Sequence, residues 1–176
     1  MPTDAKTLVW TPWHEIDSRV ARGEVAMADY MTLMDQIASQ RRPVGVKLGI
    51  ITTAWGITPG GGNRDWRQYE HDAATEWGAD FDGMNATSTS YPNDIYLRTL
   101  DVLDDIRSAG YRISVPEFGA PLAGWDPTGT ARADWMLEWA ERFANFGMHY
   151  VCLFDHTNEA YSVNDPAGIH AWRSLM

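Results

Sequence analysis

Cysteine is nearly missing from this sequence. Cys152 stands alone, so no internal disulfide can form and no cluster of thiolates is available to a metal. Basic residues are also scarce: 14 Lys and Arg face 24 Asp and Glu, leaving a net charge of −10. A surface of that sign repels phosphate backbones, so nucleic acid is not expected as a partner. No apolar run approaches the roughly 20 residues of a membrane-spanning helix, and no membrane partner is expected either. The opening Met1-Pro2-Thr3-Asp4-Ala5-Lys6 lacks the apolar core of a secretory signal, although a full-length parent is expected to act outside the cell. Gly60-Gly61-Gly62 lacks the Lys and Ser/Thr of a phosphate-binding loop and reads as a turn. Histidines are few and show no H-E-x-x-H spacing, so no metal or cofactor is expected.

What is present is aromatic. Nine Trp and seven Tyr occur in 176 residues, more than a core of this size needs, and a surplus near loop ends suits stacking against sugar rings. No low-complexity linker divides the chain, so residues 1–176 read as one domain, long enough to bury roughly 70% of its unfolded surface.

Five short apolar runs recur, beginning near Leu8, Val44, Asp80, Ile113 and Tyr150, at gaps of 36, 36, 33 and 37 residues. They lack strict alternation, as buried parallel strands should. Between them, Val25–Ser39, Asn93–Ala109 and Arg132–Phe146 carry apolar residues at helical period, and Gly110 and Gly147 stand where the last two should stop. Strand and helix in alternation predict βα units and a parallel sheet. A five-stranded doubly wound sheet would satisfy the same periodicity, but it would carry a glycine-rich phosphate turn after its first strand, and none is there.

Functional groups in barrels and parallel sheets gather at the C-terminal ends of strands. Those ends offer Trp13-His14-Glu15, then Trp55, then Asn85 and Tyr91, then Glu117, then Asp155-His156. Glu15 and Glu117 each follow an apolar run directly and lie three βα units apart, so they are predicted to face each other across a barrel mouth. Two carboxyls flanking one bond are what glycoside hydrolysis requires.

His14-Glu15 at one strand end and Glu117 within Val115-Pro116-Glu117-Phe118-Gly119 resemble the clan of (β/α)8 glycoside hydrolases with catalytic glutamates on barrel strands four and seven. His rather than Asn before the first glutamate is similar to glycoside hydrolase family 26, the β-mannanase family. The resemblance implies an α/β fold, a partial (β/α)8 barrel equivalent to strands four to eight with their helices. It implies a retaining, endo-acting hydrolase of a β-linked polysaccharide, with Glu15 as acid/base and Glu117 as nucleophile. Tyr91 is similar to a tyrosine that bonds the nucleophile; His14, Trp13, Trp55, Asn85, Asp155 and His156 are expected to bind the carbohydrate. The sequence departs from the family at Asp17-Ser18-Arg19-Val20, which replaces an aromatic-rich segment, and at Asp155-His156, where many clan members place Trp.

Five strands leave a barrel open, so a missing N-terminal half or a second copy is expected to complete it. Two other readings fit the same residues: a non-catalytic glycan-binding or structural module, for instance within a phage assembly, and a metal-dependent barrel hydrolase.

Overall fold

The computed structural model describes residues 8–40, 45–82, 89–155 and 161–175. Five strands form one parallel sheet: β1 (Leu8–Trp10), β2 (Val46–Thr53), β3 (Ala74–Asp80), β4 (Arg112–Phe118) and β5 (Val151–Leu153). Their spatial order is β1-β2-β3-β4-β5, the order of the chain. A doubly wound sheet reverses direction at a switch point, whereas one that adds each strand beside the last curls toward a barrel. This order therefore makes the chain a partial (β/α) barrel.

The helices are α1 (Ile16–Ala21), α2 (Met27–Ser39), α3 (Ala54–Ile57), α4 (Asp94–Ser108), α5 (Thr130–Phe146) and α6 (Pro166–Ser174). The three long helices fall where the apolar period predicts them. Gly110 and Gly147 lie just past α4 and α5 with φ of 105° and 78°, a conformation that costs a residue with a Cβ more than it costs glycine. Between β2 and β3 there is no long helix, only α3 and a 3₁₀ turn at Trp66–Tyr69.

The third strand corrects the sequence reading. The apolar run near Asp80 was expected to begin a strand, but Asp80 ends one that starts at Ala74. Thr75 and Glu76 hide the segment, because Glu76 is an acidic residue buried in mid-strand. Arg112 Nη1 and His149 Nδ1 each lie 3.6 Å from its carboxylate, and the guanidinium supplies compensating charge. Glu76, Gly78 and Asp80 share one face of β3, while Trp77 and Ala79 point the other way into the apolar core.

That core lies between sheet and helices. Phe81, Tyr96, Phe118, Trp135, Trp139 and Phe143 form a continuous ring cluster with centroids 4.7–6.2 Å apart. Each such ring contributes roughly 1.5–3 kcal/mol through burial. Trp135 and Trp139 are core residues of α5, as their spacing predicts.

The sheet has one irregularity that matters for function. Between the pairs Val115↔Val151 and Phe118↔Leu153, β4 carries one residue more than β5. Pro116 sits in this bulge, where its missing N–H removes no ladder bond. The extra residue resets the alternation, so Phe118 stacks on Trp135 on the helix side and Glu117 turns to the opposite face.

Candidate active site

The site is built at the C-terminal ends of β1, β3 and β4. Beyond β1 the chain turns through Trp13-His14-Glu15 into α1. Glu15 caps that helix with φ 51° and ψ 51°, a left-handed conformation that a residue with a Cβ adopts at a cost of about 1–2 kcal/mol. Strain of this kind persists only where the surroundings hold it, and here the hold is visible. Asp17, fully buried in the first turn of α1, accepts bonds from Thr53 N (2.8 Å), Thr53 Oγ1 (2.8 Å) and Arg64 Nη1 (2.7 Å). Arg19 Nε donates to His14 O at 3.0 Å. Gly56 packs so closely against Asp17 that a Cβ there has no room. Asp17→Ala is expected to destabilise the fold by about 3 kcal/mol, since it leaves Arg64 and a buried N–H without their acceptor. Chemical denaturation measures this, and a loss under 1 kcal/mol contradicts it.

The turn delivers His14 between two carboxylates. Its Nε2 lies 2.8 Å from Asp80 Oδ2 and 3.4 Å from Glu117 Oε1. Asp80 is wholly buried, while the side chains of His14 and Glu117 are partly open, at 39% and 25% exposure. One ligand atom from each of His14, Asp80 and Glu117 falls within 4.8 Å of the others, so these are also the described residues best placed to hold a cation.

Burial and close contact shift these groups upward together. Contact with Asp80 raises His14 to about 9, against a smaller opposing effect of burial. Burial raises Asp80 to about 7, with His14 opposing. Burial likewise raises Glu15, Asp82 and Glu117 above their ordinary values. The negative charge of Asp82 adds to the rise at both glutamates, and that of Glu15 adds to it at Glu117. His14 pulls Glu117 back toward its ionised form.

These shifts fix the sign of a stability change. The folded chain holds the Asp80 proton more tightly than the unfolded chain, so stability falls as pH rises from 3.8 to about 7. The His14 contribution is complete below 6.5 and is lost as pH rises to about 9. Both slopes point the same way. Thermal melting is therefore expected to show a midpoint that declines from about pH 4 to about pH 9, with a shallower decline in Asp80→Asn. A midpoint that climbs over that interval would contradict the assignment.

The other residues singled out from sequence divide. Trp13 is half-buried against the core. Trp55 is exposed at 54% in α3, with the Arg64 guanidinium 5.6 Å from its ring, and remains available for stacking. The structure places Tyr91 against another partner: it is buried, its hydroxyl donates to Asp126 Oδ2 (3.1 Å), and its ring lies 5.0 Å from Trp125 and 5.7 Å from Trp135. The loop containing Asp126, which also accepts the Ala131 and Arg132 N–H groups, claims the tyrosine first. Asp155 is exposed and accepts from Val163 N at 3.2 Å, a loop fastening. Asn85 and His156 lie outside the described residues. Sequence reading missed Asp80 and Asp82. The signal was present in Asp80-Phe81-Asp82, two acids bracketing a buried aromatic, but placing a strand start there moved it to the wrong end.

An apolar cavity of about 320 Å³ lies between α5, α6 and β5, lined by Phe143, Val151 and Trp172 among others. It is on the helix side, away from the carboxylates.

No protein-family model matches the sequence, and no curated protein matches it closely. Among solved structures, the chain is similar to a GH128 (subgroup VI) exo-β-1,3-glucanase from Aureobasidium namibiae, with a TM-score of 0.57 at 13% identity. The match covers 94% of this chain and 62% of that one, so the chain spans less than two thirds of its structural neighbour. At this identity the likeness is one of fold.

Proposed function

We propose that the protein is a retaining glycoside hydrolase of β-linked polysaccharide, with Glu117 as nucleophile and Glu15 as acid/base. The observation that carries this reading is the His14 ring between Asp80 and Glu117, beside Glu15, at the C-terminal rim of a barrel-type sheet. Burial raises both glutamates, Asp82 adds to the rise at both, and His14 opposes it at both. The assignment of roles therefore follows the resemblance, with the 3.4 Å approach of the His14 ring to Glu117 in its support.

In the first step the Glu117 carboxylate attacks the anomeric carbon, the glycosidic C–O bond breaks, and the Glu15 proton passes to the departing oxygen. In the second, Glu15 takes a proton from water, the water oxygen attacks the same carbon, and Glu117 is released. Two inversions retain configuration.

The structural neighbour is a β-1,3-glucanase of another glycoside hydrolase family than 26, so β-1,3-glucan is the first substrate to try, before β-mannan and xylan. An activated 2-fluoro glycoside should leave a covalent adduct on Glu117, located by peptide mass spectrometry. An adduct on another residue refutes the role assignment. A second reading, a non-catalytic glycan-binding module, draws on the fraction of the neighbour's length that the chain spans. It requires oligosaccharide binding without product, unchanged by Glu15→Gln.

A further inference from the structure

We propose that Asp80 is a positioning residue of this site, clamping the His14 ring against Glu117 so that the positive charge of the ring is held between the two carboxylates. The inference rests on the glycosidase reading and adds to it a residue that no comparison supplies. Asp80 is the last residue of β3, paired in register with Thr53 on β2, and its side chain is wholly buried. Neither of its oxygens receives a well-aligned hydrogen bond from the described residues, so the 2.8 Å approach of His14 Nε2 is the compensation this carboxylate has. A buried carboxylate without a cation is strongly disfavoured, and His14 is therefore held where Asp80 is.

The groups facing Asp80 are His14 from the β1–α1 turn, Asp82 beyond β3, Glu117 from β4, Tyr150 just before β5 and Cys152 on it. Only His14 among them can carry positive charge. Glu117, crowded by Asp82 and Glu15, depends on that charge to stay ionised. Above about pH 7, where Asp80 is ionised, it keeps the ring in place when Glu117 spends its own charge on the bond to the anomeric carbon. The imidazolium is then in position when Glu117 leaves the ester. No proton has to move on Asp80 or His14 in either step.

The test is a ¹H–¹⁵N NMR titration of the His14 ring, with kcat and KM on β-1,3-glucan, in the wild type, Asp80→Asn, Asp80→Glu and Glu117→Gln. In the wild type His14 should keep both ring protons well above neutral pH. In Asp80→Asn its transition should move down by more than one pH unit. There kcat at neutral pH should fall about 10–100-fold with KM within about threefold, and Asp80→Glu should recover part of both. Glu117→Gln should leave most of the His14 shift intact. A His14 transition unmoved in folded Asp80→Asn overturns the proposal. If Asp80→Asn does not fold, a His14 transition in Glu117→Gln that falls to the ordinary histidine range overturns it equally. Binding of one Zn²⁺ by the wild type but not by Asp80→Asn, with turnover abolished by chelator, would also overturn it in favour of a metal centre. The titration needs no turnover, so a protein that hydrolyses nothing yet shows the His14 shift refutes the glycosidase reading and leaves the clamp standing.

Discussion

Replacing Glu117 by Gln is expected to lower turnover of a β-linked glycan by about 10⁴-fold or more, because it removes the carboxylate proposed to form the glycosyl ester. Glutamine keeps the shape and the partial burial, so the melting temperature should not fall. Burial raises the Glu117 pKa, which means that its charge is a net cost to the fold, and the variant should melt at or above the wild type. Glu15→Gln should behave differently. Loss of a general acid costs about 10²–10⁴-fold, but only where the leaving oxygen needs a proton. On an aryl glycoside with a strongly acidic leaving phenol, its first step should be nearly as fast as wild type. Equal losses for both variants on both substrates would remove the division of roles.

Arg132→Ala is expected to be the most damaging single change to the fold, at about 3–5 kcal/mol. Arg132 is fully buried in the first turn of α5, paired with Asp165 and donating to Ala120 O (3.3 Å) and Ser162 O (3.2 Å). Asp165 in turn caps α6 by accepting from Gly168 N at 2.7 Å, and no Cβ fits at Gly129 beside it. Removing the arginine leaves a buried carboxylate and frees two chain segments at once. Burial pushes Asp165 up, but the Gly168 N–H and Arg132 outweigh it and hold its pKa below the ordinary value. That part of the stability is present above about pH 4 and disappears as Asp165 protonates. The deficit of Arg132→Ala against wild type, measured by denaturant unfolding, should therefore be full at pH 7 and shrink under acid. In Arg132→Met/Asp165→Asn most of it should return, because neither charge remains to be compensated. A single-variant loss below about 1 kcal/mol would show that the pair is not what joins α5 to α6.

Glu15 and Glu117 were legible because each follows an apolar run directly, and a polar residue at such a place sits on the rim of a parallel sheet. Asp80 was not. Its strand contains Glu76, whose carboxylate is met by Arg112 and His149 from 36 and 73 residues further along the chain, and local hydrophobicity cannot register a partner that distant. The bond of Tyr91 to Asp126 was hidden for a related reason. A tyrosine after a strand is equally suited to a catalytic and a structural bond, and the competitor, Asp126, belongs to a loop that only folding brings near.

By itself the sequence determined the alternation of strand and helix, the long helices with their glycine ends, and two of the acids on the rim. These depend on period, and period is local. Only the tertiary structure decided that the strands add in one direction, that a bulge at Pro116 turns Glu117 inward, and that His14 rests on Asp80. Those outcomes depend on which distant groups share a buried space, where an unpaired charge is too costly to keep and a well-placed partner decides the geometry.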